Sequence, residues 1–279
     1  MPTTVLVTAA GGTVSSAVIR QLERAAGARV LRGTRHEREV DADTRLFDYA
    51  RPETARAATV GVDAVFLLLP PGLSDPGERF GALVAAMSTP EPPHVVFMAV
   101  QGVEHRGFLP HAKAEAAIRV ATDAYTFLRP AYFMQNLETA FGADIRERDE
   151  LVAPAGEAAL RWIDVEDVAR AAAVVLADPA PHRGRAYTLA AGLHTLGEAA
   201  DLLSEVLGRR IAYRSPNPVR YFLELRRRGK PVGMAMAQTL IHFAERFTEA
   251  APASGDFTRL TGRAPATLGE YVERVWRRA

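Results

Sequence analysis

Side chains able to move a proton or steady an oxyanion are sparse in this chain, and three of them lie close together. His111 and Lys113 are two residues apart, and Gln101 precedes them by one short segment. A histidine titrates near neutrality and can donate a proton to a reacting oxygen. Lys113, one of only two lysines, can hold sugar hydroxyls or polarise an oxygen, and the Gln101 amide can orient a substrate oxygen. The set suits reduction of a carbonyl or quinone, which needs both a proton and a partner for developing negative charge. The competing reading makes His111 a first-turn helix residue and Lys113 a solvated charge.

A second group is apolar. Tyr132, Phe133, Met134 and Asn136 follow one another closely, and Trp162 comes later. They suit a wall for a flat substrate, or ordinary core packing. Asp164 and Asp167 read as residues that cap and begin a helix. The histidines lack metal-ligand spacing, so no metal is expected. No Gly-x-Ser-x-Gly elbow occurs, and no tyrosine stands four residues before a lysine.

The elements that must position these residues alternate between strand and helix. Strands are expected over Val5–Thr8, Arg29–Arg32, Arg45–Phe47, Asp63–Leu69, His94–Val100 and Ala124–Leu128. Helices are expected over Thr13–Ala26, Pro52–Val60, Pro76–Met87 and Pro110–Ala121. Repeated βαβ units predict an α/β fold, a doubly wound parallel sheet of Rossmann type, over a (β/α)₈ barrel. After Pro130 the pattern becomes mainly helical: Val165–Ala177, Leu196–Leu207, Pro218–Arg228, Met234–Arg246 and Leu268–Arg278, with short strands near Leu151–Ala153, Ala186–Leu189 and Arg210–Tyr213. The expected division is residues 1–150, a dinucleotide-binding domain, and 151–279, a smaller substrate lobe, with interleaved elements allowed.

The first strand runs into the turn Thr8-Ala9-Ala10-Gly11-Gly12-Thr13-Val14-Ser15 and then a helix. A small-residue turn that opens a helix after a strand is where a pyrophosphate sits in dinucleotide sites. The usual three glycine positions are Ala9, Gly12 and Ser15 here, with Gly11 adding turn freedom. The next strand ends in Arg32-Gly33-Thr34-Arg35 and offers no carboxylate for a ribose 2′-hydroxyl. A guanidinium there matches a 2′-phosphate, which favours NADP(H) over NAD(H). Asp48, ending the third strand, is placed to accept from an adenine amino group or to cap the helix near Pro52.

Composition narrows the class. Among 279 residues, 48% are hydrophobic, the net charge is +1, and there is no cysteine. No apolar run reaches the roughly 18 residues of a membrane span, and no signal-peptide pattern is seen at the N-terminus. The near-zero charge gives no reason to expect nucleic acid or a membrane as partner. A cytoplasmic protein with a small-molecule substrate is expected, as monomer or homodimer.

Phe127-Leu128-Arg129-Pro130 through Phe133-Met134-Gln135-Asn136 resembles a segment of NmrA-like proteins, atypical short-chain dehydrogenase/reductase relatives. Trp162-Ile163-Asp164-Val165-Glu166-Asp167-Val168-Ala169 is similar to a second family segment, and Leu207-Gly208-Arg209 and Leu260-Thr261-Gly262-Arg263 to its C-terminal pattern. Val95–Gly102 and the helix start around His111-Ala112-Lys113-Ala114-Glu115 fit as well. The resemblance spans nearly the whole chain. It implies that Thr8, Gly12, Thr13 and Val14 line the pyrophosphate, that Arg35 approaches the 2′-phosphate and Asp48 the adenine, and that Leu69 and Pro70 lie by the nicotinamide-side ribose. Departures are Ala9, Ser15 and Met98-Ala99-Val100-Gln101, where relatives often carry serine. Three functions stay open: an NADP(H)-dependent reductase of a quinone-like, aromatic or carbonyl substrate, a non-catalytic NAD(P) sensor, and a cyclase, isomerase or dehydratase that has reassigned the cofactor cleft.

Overall fold

The computed structural model describes residues 2–25, 27–87, 92–247 and 252–277. The expected helix ends Ala26 and Arg278 lie outside them. The chain begins β1 (Thr3–Val7), α1 (Thr13–Ala25), β2 (Ala28–Thr34), β3 (Thr44–Leu46), α2 (Thr54–Ala58), β4 (Ala64–Leu68), α3 (Pro76–Ala86), β5 (His94–Met98), α4 (Pro110–Ala121) and β6 (Tyr125–Pro130). It continues with β7 (Tyr132–Phe133), α5 (Asn136–Thr139), α6 (Gly142–Arg148), β8 (Glu150–Val152), β9 (Leu160–Ile163), α7 (Val165–Ala177), β10 (Arg185–Leu189), β11 (Leu193–His194) and α8 (Leu196–Leu207). Last come β12 (Ala212–Arg214), α9 (Pro218–Arg227), α10 (Val232–Glu245), α11 (Asp256–Thr261) and α12 (Leu268–Trp276).

Among the described residues the main sheet has the order β3-β2-β1-β4-β5-β6-β10, with every neighbouring pair parallel. This is the doubly wound Rossmann arrangement, and its switch point lies between β1 and β4. Parallel strands covered on both faces need apolar residues at every position. Leu6, Val65, Leu67, Val95, Phe97 and Phe127 pack with α2, α3 and α4 on one face. Val5, Val7, Phe66 and Val96 alternate to the other face. There α1 and α7 pack against each other, and both contact β1.

The need to cover that second face explains how the chain is divided. The first compact unit holds residues 1–130, 165–189 and 254–264, and the second holds 131–164, 190–253 and 265–279. A single cut at residue 150 does not describe this. The alanine-rich helix α7, expected in the C-terminal lobe, is drawn onto the sheet by the apolar surface α1 leaves open. The expected lobe strand at Ala186–Leu189 follows it and becomes the edge strand β10, parallel to β6.

The second unit contains the small sheet β11-β9-β7, the pair β12-β8 and helices α5, α6, α8, α9, α10 and α12, while α11 belongs to the first. Trp162, Phe141, Leu151, Tyr271 and Trp276 centre its core. Helices α8 and α12 contact each other, and each opens with a reciprocal capping box, Thr195 with Glu198 and Thr267 with Glu270.

Candidate functional site

Parallel strands bring the expected residues of the first unit to one edge of the sheet. Thr8 to Val14 follow β1, Arg35 follows β2, Asp48 follows β3, Leu69 and Pro70 follow β4, and Gln101 follows β5. His111 and Lys113 lie in the first turn of α4, the helix that leads on from β5, with Pro110 at its start.

The β1–α1 turn has an unusual build. Ala9 adopts a φ of 49°, the left-handed region that glycine normally fills. A Cβ in that region costs roughly 1–2 kcal/mol. Gly12 donates to the Ala9 carbonyl at 2.9 Å, and a Cβ on Gly12 would stand 3.3 Å from that oxygen. Ser15 is buried where the third glycine is expected, and its hydroxyl donates to the Thr8 carbonyl at 2.8 Å. The serine therefore stitches the strand end to the helix instead of merely crowding it. Gly11, Gly12 and Thr13 are exposed, and Val14 is half-buried. The first N–H groups of α1 have no acceptor within the helix, which makes this end attractive to an anion.

Thr8 is fully buried. Its hydroxyl donates to the Phe66 carbonyl at 2.7 Å and so accepts from the Tyr49 hydroxyl at 2.6 Å. The side chain expected at the pyrophosphate is thus a lock within the sheet. Tyr49 in turn accepts from the Leu68 N–H at 3.1 Å, joining the ends of β1 and β4 at the switch point. Burial pushes its phenol up to about 12. Sequence reasoning missed Tyr49, whose only signal is its place beside Asp48 at the end of β3. Gly33 also has a positional reason, since a Cβ there would stand 3.1 Å from the Thr8 Cα.

Beyond β2 a shallow depression carries three arginines and one carboxylate, and is lined by Arg35, His36, Glu37, Arg38 and Arg51. Arg51 is already paired with Asp48 at 3.1 Å and with Glu37 at 3.2 Å. Asp48 also accepts from the Ala50 N–H at 2.9 Å, so its carboxylate is engaged in the local turn. Leu69 packs against the core, and Leu69 and Pro70 are half-buried.

Around β5 and α4 the chemistry changes. Gln101 donates its backbone N–H to the Pro130 carbonyl at 2.9 Å. Its side-chain Nε2 is buried without a hydrogen-bond partner among the described residues. The His111 ring lies 6.4 Å from the Phe97 ring. Burial pushes the imidazole below its ordinary value, with the nearby Glu115 charge opposing that shift. His111 is therefore a neutral imidazole at pH 7, a hydrogen-bond donor more than the near-neutral acid its residue type suggests. Lys113 is exposed.

In the second unit, the wall expected of Tyr132, Phe133, Met134, Asn136 and Trp162 is narrower than the sequence suggests. Met134 and Trp162 have no exposed surface, and the Trp162 indole donates to the His194 carbonyl at 2.9 Å. They are core residues because β7 pairs with β9, setting Tyr132 opposite Trp162 and Phe133 opposite Ile163. Tyr132, Phe133 and Asn136 keep partial exposure. The same pairing joins two of the sequence segments quoted above: the Met134 N–H donates to Ile163 at 3.0 Å, and the Gln135 amide donates to Asp164 at 2.7 Å. Arg274 pairs with the other Asp164 oxygen.

Tyr132 has a partner that sequence reasoning did not find. His242, buried on α10, uses Nδ1–H on the Gln238 carbonyl at 2.8 Å, so its Nε2 accepts from the Tyr132 hydroxyl at 2.8 Å. Burial lowers the His242 imidazole and raises the Tyr132 phenol, so both stay neutral. The two are far apart in the chain, and neither carries a motif.

Among the described residues no group of His, Cys, Asp and Glu could hold a metal, and no helix is long and apolar enough to cross a membrane. The chain is 29% identical over 289 residues to the NAD(P)H azoreductase of Xenophilus azovorans, covering 96% of each chain. It resembles the triphenylmethane reductase of Citrobacter sp. complexed with NADP(H), with a TM-score of 0.84 at 25% identity over 97% of this chain and 99% of that one. It shares its fold with the NADPH-dependent quinone oxidoreductase of Escherichia coli, with a TM-score of 0.85 at 20% identity over 98% of this chain and 99% of that one. The NmrA-like family model matches residues 1–272, and the chain belongs to that family.

Proposed function

We propose that the protein is an NADPH-dependent reductase of small conjugated acceptors, quinone-like, aromatic or carbonyl. The observation that carries the cofactor choice is the arginine-lined depression beyond β2, one strand from the exposed glycine turn. Arg35 and Arg38 supply planar donors to a 2′-phosphate, and the carboxylate in the depression, Glu37, is already paired with Arg51. Gly11, Gly12 and Thr13, with the N-terminus of α1, fit a pyrophosphate. The Ala9 methyl lies within that turn, and Gly12 leaves the close approach open.

NADPH, when bound, supplies a hydride. The chain's own part is to steady charge on the acceptor. The unpaired Gln101 amide donates to a developing oxyanion, His111 adds a neutral N–H, and solvent supplies the proton. Lys113 holds ribose hydroxyls. A quinone acceptor suits a site lacking a strong acid, because its reduced oxygens are only weakly basic. Similarity to reductases of azo compounds, triphenylmethanes and quinones supports this acceptor class. Tyr132, Phe133 and Asn136 keep exposed surface and remain the proposed substrate contacts.

Calorimetric titration with NADPH and NADH, followed by loss of reduced-nicotinamide absorbance over a panel of quinones, azo dyes and aldehydes, tests the reading. NADPH should bind at least about tenfold more tightly than NADH, and Arg35→Ser should erase most of that difference, a change of about 1.4 kcal/mol. Absence of NADPH binding at millimolar concentration would overturn the proposal. Binding without turnover of any acceptor would favour the sensor.

A further inference from the structure

The end of β6 does more than pair with β5 and β10. Arg129, the penultimate residue of β6, holds Glu115 through two parallel bonds, Nε to Oε1 at 2.9 Å and Nη2 to Oε2 at 2.7 Å. Its third nitrogen, Nη1, reaches Glu104 at 3.2 Å. The Arg129 side chain is 10% exposed and that of Glu115 is 2% exposed. Arg119 adds a second cation on Glu115 at 2.9 Å and lies over the Phe127 ring. Two carboxylates thus face two guanidiniums, and the cluster is balanced. Next along the strand, the Pro130 carbonyl accepts the Gln101 N–H, and Leu128 accepts the Ala99 N–H at 2.8 Å.

The two acids belong to different segments. Glu104 lies in the single turn Val103–His105, just after Gln101 and Gly102. Glu115 is on α4, one helical turn after His111 and on its face. One planar side chain therefore fixes both segments relative to the same strand end. A buried ion pair contributes little net stability against an apolar replacement, because desolvation consumes most of the attraction. Its directional geometry is what a Met–Leu contact would not reproduce.

We propose that Arg129 is a positioning residue: through Glu104 and Glu115 it sets where the Gln101 amide and the His111 imidazole stand. Its catalytic consequence rests on the reductase reading above, while the positioning itself does not. Nothing in the resemblance that singled out Leu128-Arg129-Pro130 assigns the arginine this role.

Arg129→Lys, Arg129→Met and Glu104→Gln separate the parts. Amide exchange in residues 101–105 should quicken by about tenfold in Glu104→Gln, while the His111 ring titration, followed by NMR, keeps its wild-type midpoint. In Arg129→Met exchange should quicken in both 101–105 and 110–114, and the His111 midpoint should move. Arg129→Lys keeps the charge without the fork and should fall between. Towards an accepted quinone, Arg129→Met should lower kcat by at least about tenfold, a larger change than its weakening of NADPH, and Arg129→Lys should restore part of it. Arg129→Lys matching wild type in both kcat and His111 titration, or Glu104→Gln leaving exchange untouched, would overturn the proposal. If Arg129→Met does not fold, those two variants decide alone. If wild type reduces no acceptor, the reductase reading fails, and exchange and titration still settle the positioning.

Discussion

Arg129 and Tyr132 are three residues apart, yet they anchor different units by opposite means. In the first unit a charged fork joins groups on β6, α4 and the turn after β5. In the second a neutral hydroxyl donates to the buried His242 imidazole, 110 residues along the chain. The charged cluster sits at a sheet edge where polar groups converge by topology. The neutral pair lies among Trp162, Phe141 and Tyr221 rings, where an ion would be costly. The difference teaches that direction comes from charge where several polar groups converge on one strand end, and from a fixed neutral tautomer where aromatic rings surround the pair.

Breaking the charged side should be the largest effect. Glu115→Leu leaves Arg129 short of its main partner and should cost about 4 kcal/mol in urea denaturation. Adding Arg129→Met should recover most of that stability while kcat stays low. Recovery of both would show that the ion pair positions nothing.

Acid comes next. His94 donates from Nε2 to the Thr126 hydroxyl at 2.8 Å, since that hydroxyl is spent on the His182 carbonyl. Burial, followed by the charges of Arg183 and His182, pushes His94 down to about 4 from 6.5. A lowered imidazole means the unfolded chain takes up the proton first. Its stabilisation is complete above pH 6.5 and is lost as pH falls towards 4, on the order of 3 kcal/mol. His111 and His242 add in the same direction. Denaturation midpoints measured between those pH values should flatten in His94→Gln, and an unchanged slope would remove His94 from the account.

Two substitutions that restore the usual glycines should have opposite signs. Ser15→Gly loses the bond to Thr8 and a better helix former, and should cost about 2 kcal/mol. Tyr132→Phe, which leaves His242 Nε2 without its donor, should cost about 1.5 kcal/mol and show no coupling to Glu115→Leu in a double-mutant cycle. Ala9→Gly relieves the positive φ and should raise stability by about 1 kcal/mol and tighten NADPH. Destabilisation by Ala9→Gly would mean that the alanine is not strained.

The amino-acid sequence alone determined the strand-and-helix alternation of residues 3–130 and the edge on which candidate groups gather. Local periodicity and parallel winding are enough for both. It also marked Arg129, Gln135 and Asp164 as members of a pattern, without saying what they touch. Only the tertiary structure decided that α7 and β10 complete the first unit, that Met134 and Trp162 are core, and that Tyr49, Glu115 and His242 hold the strand ends. Those outcomes depend on which apolar face remains uncovered and which donor meets which acceptor. Such pairings link residues from 14 to 110 positions apart, beyond the reach of any local spacing rule.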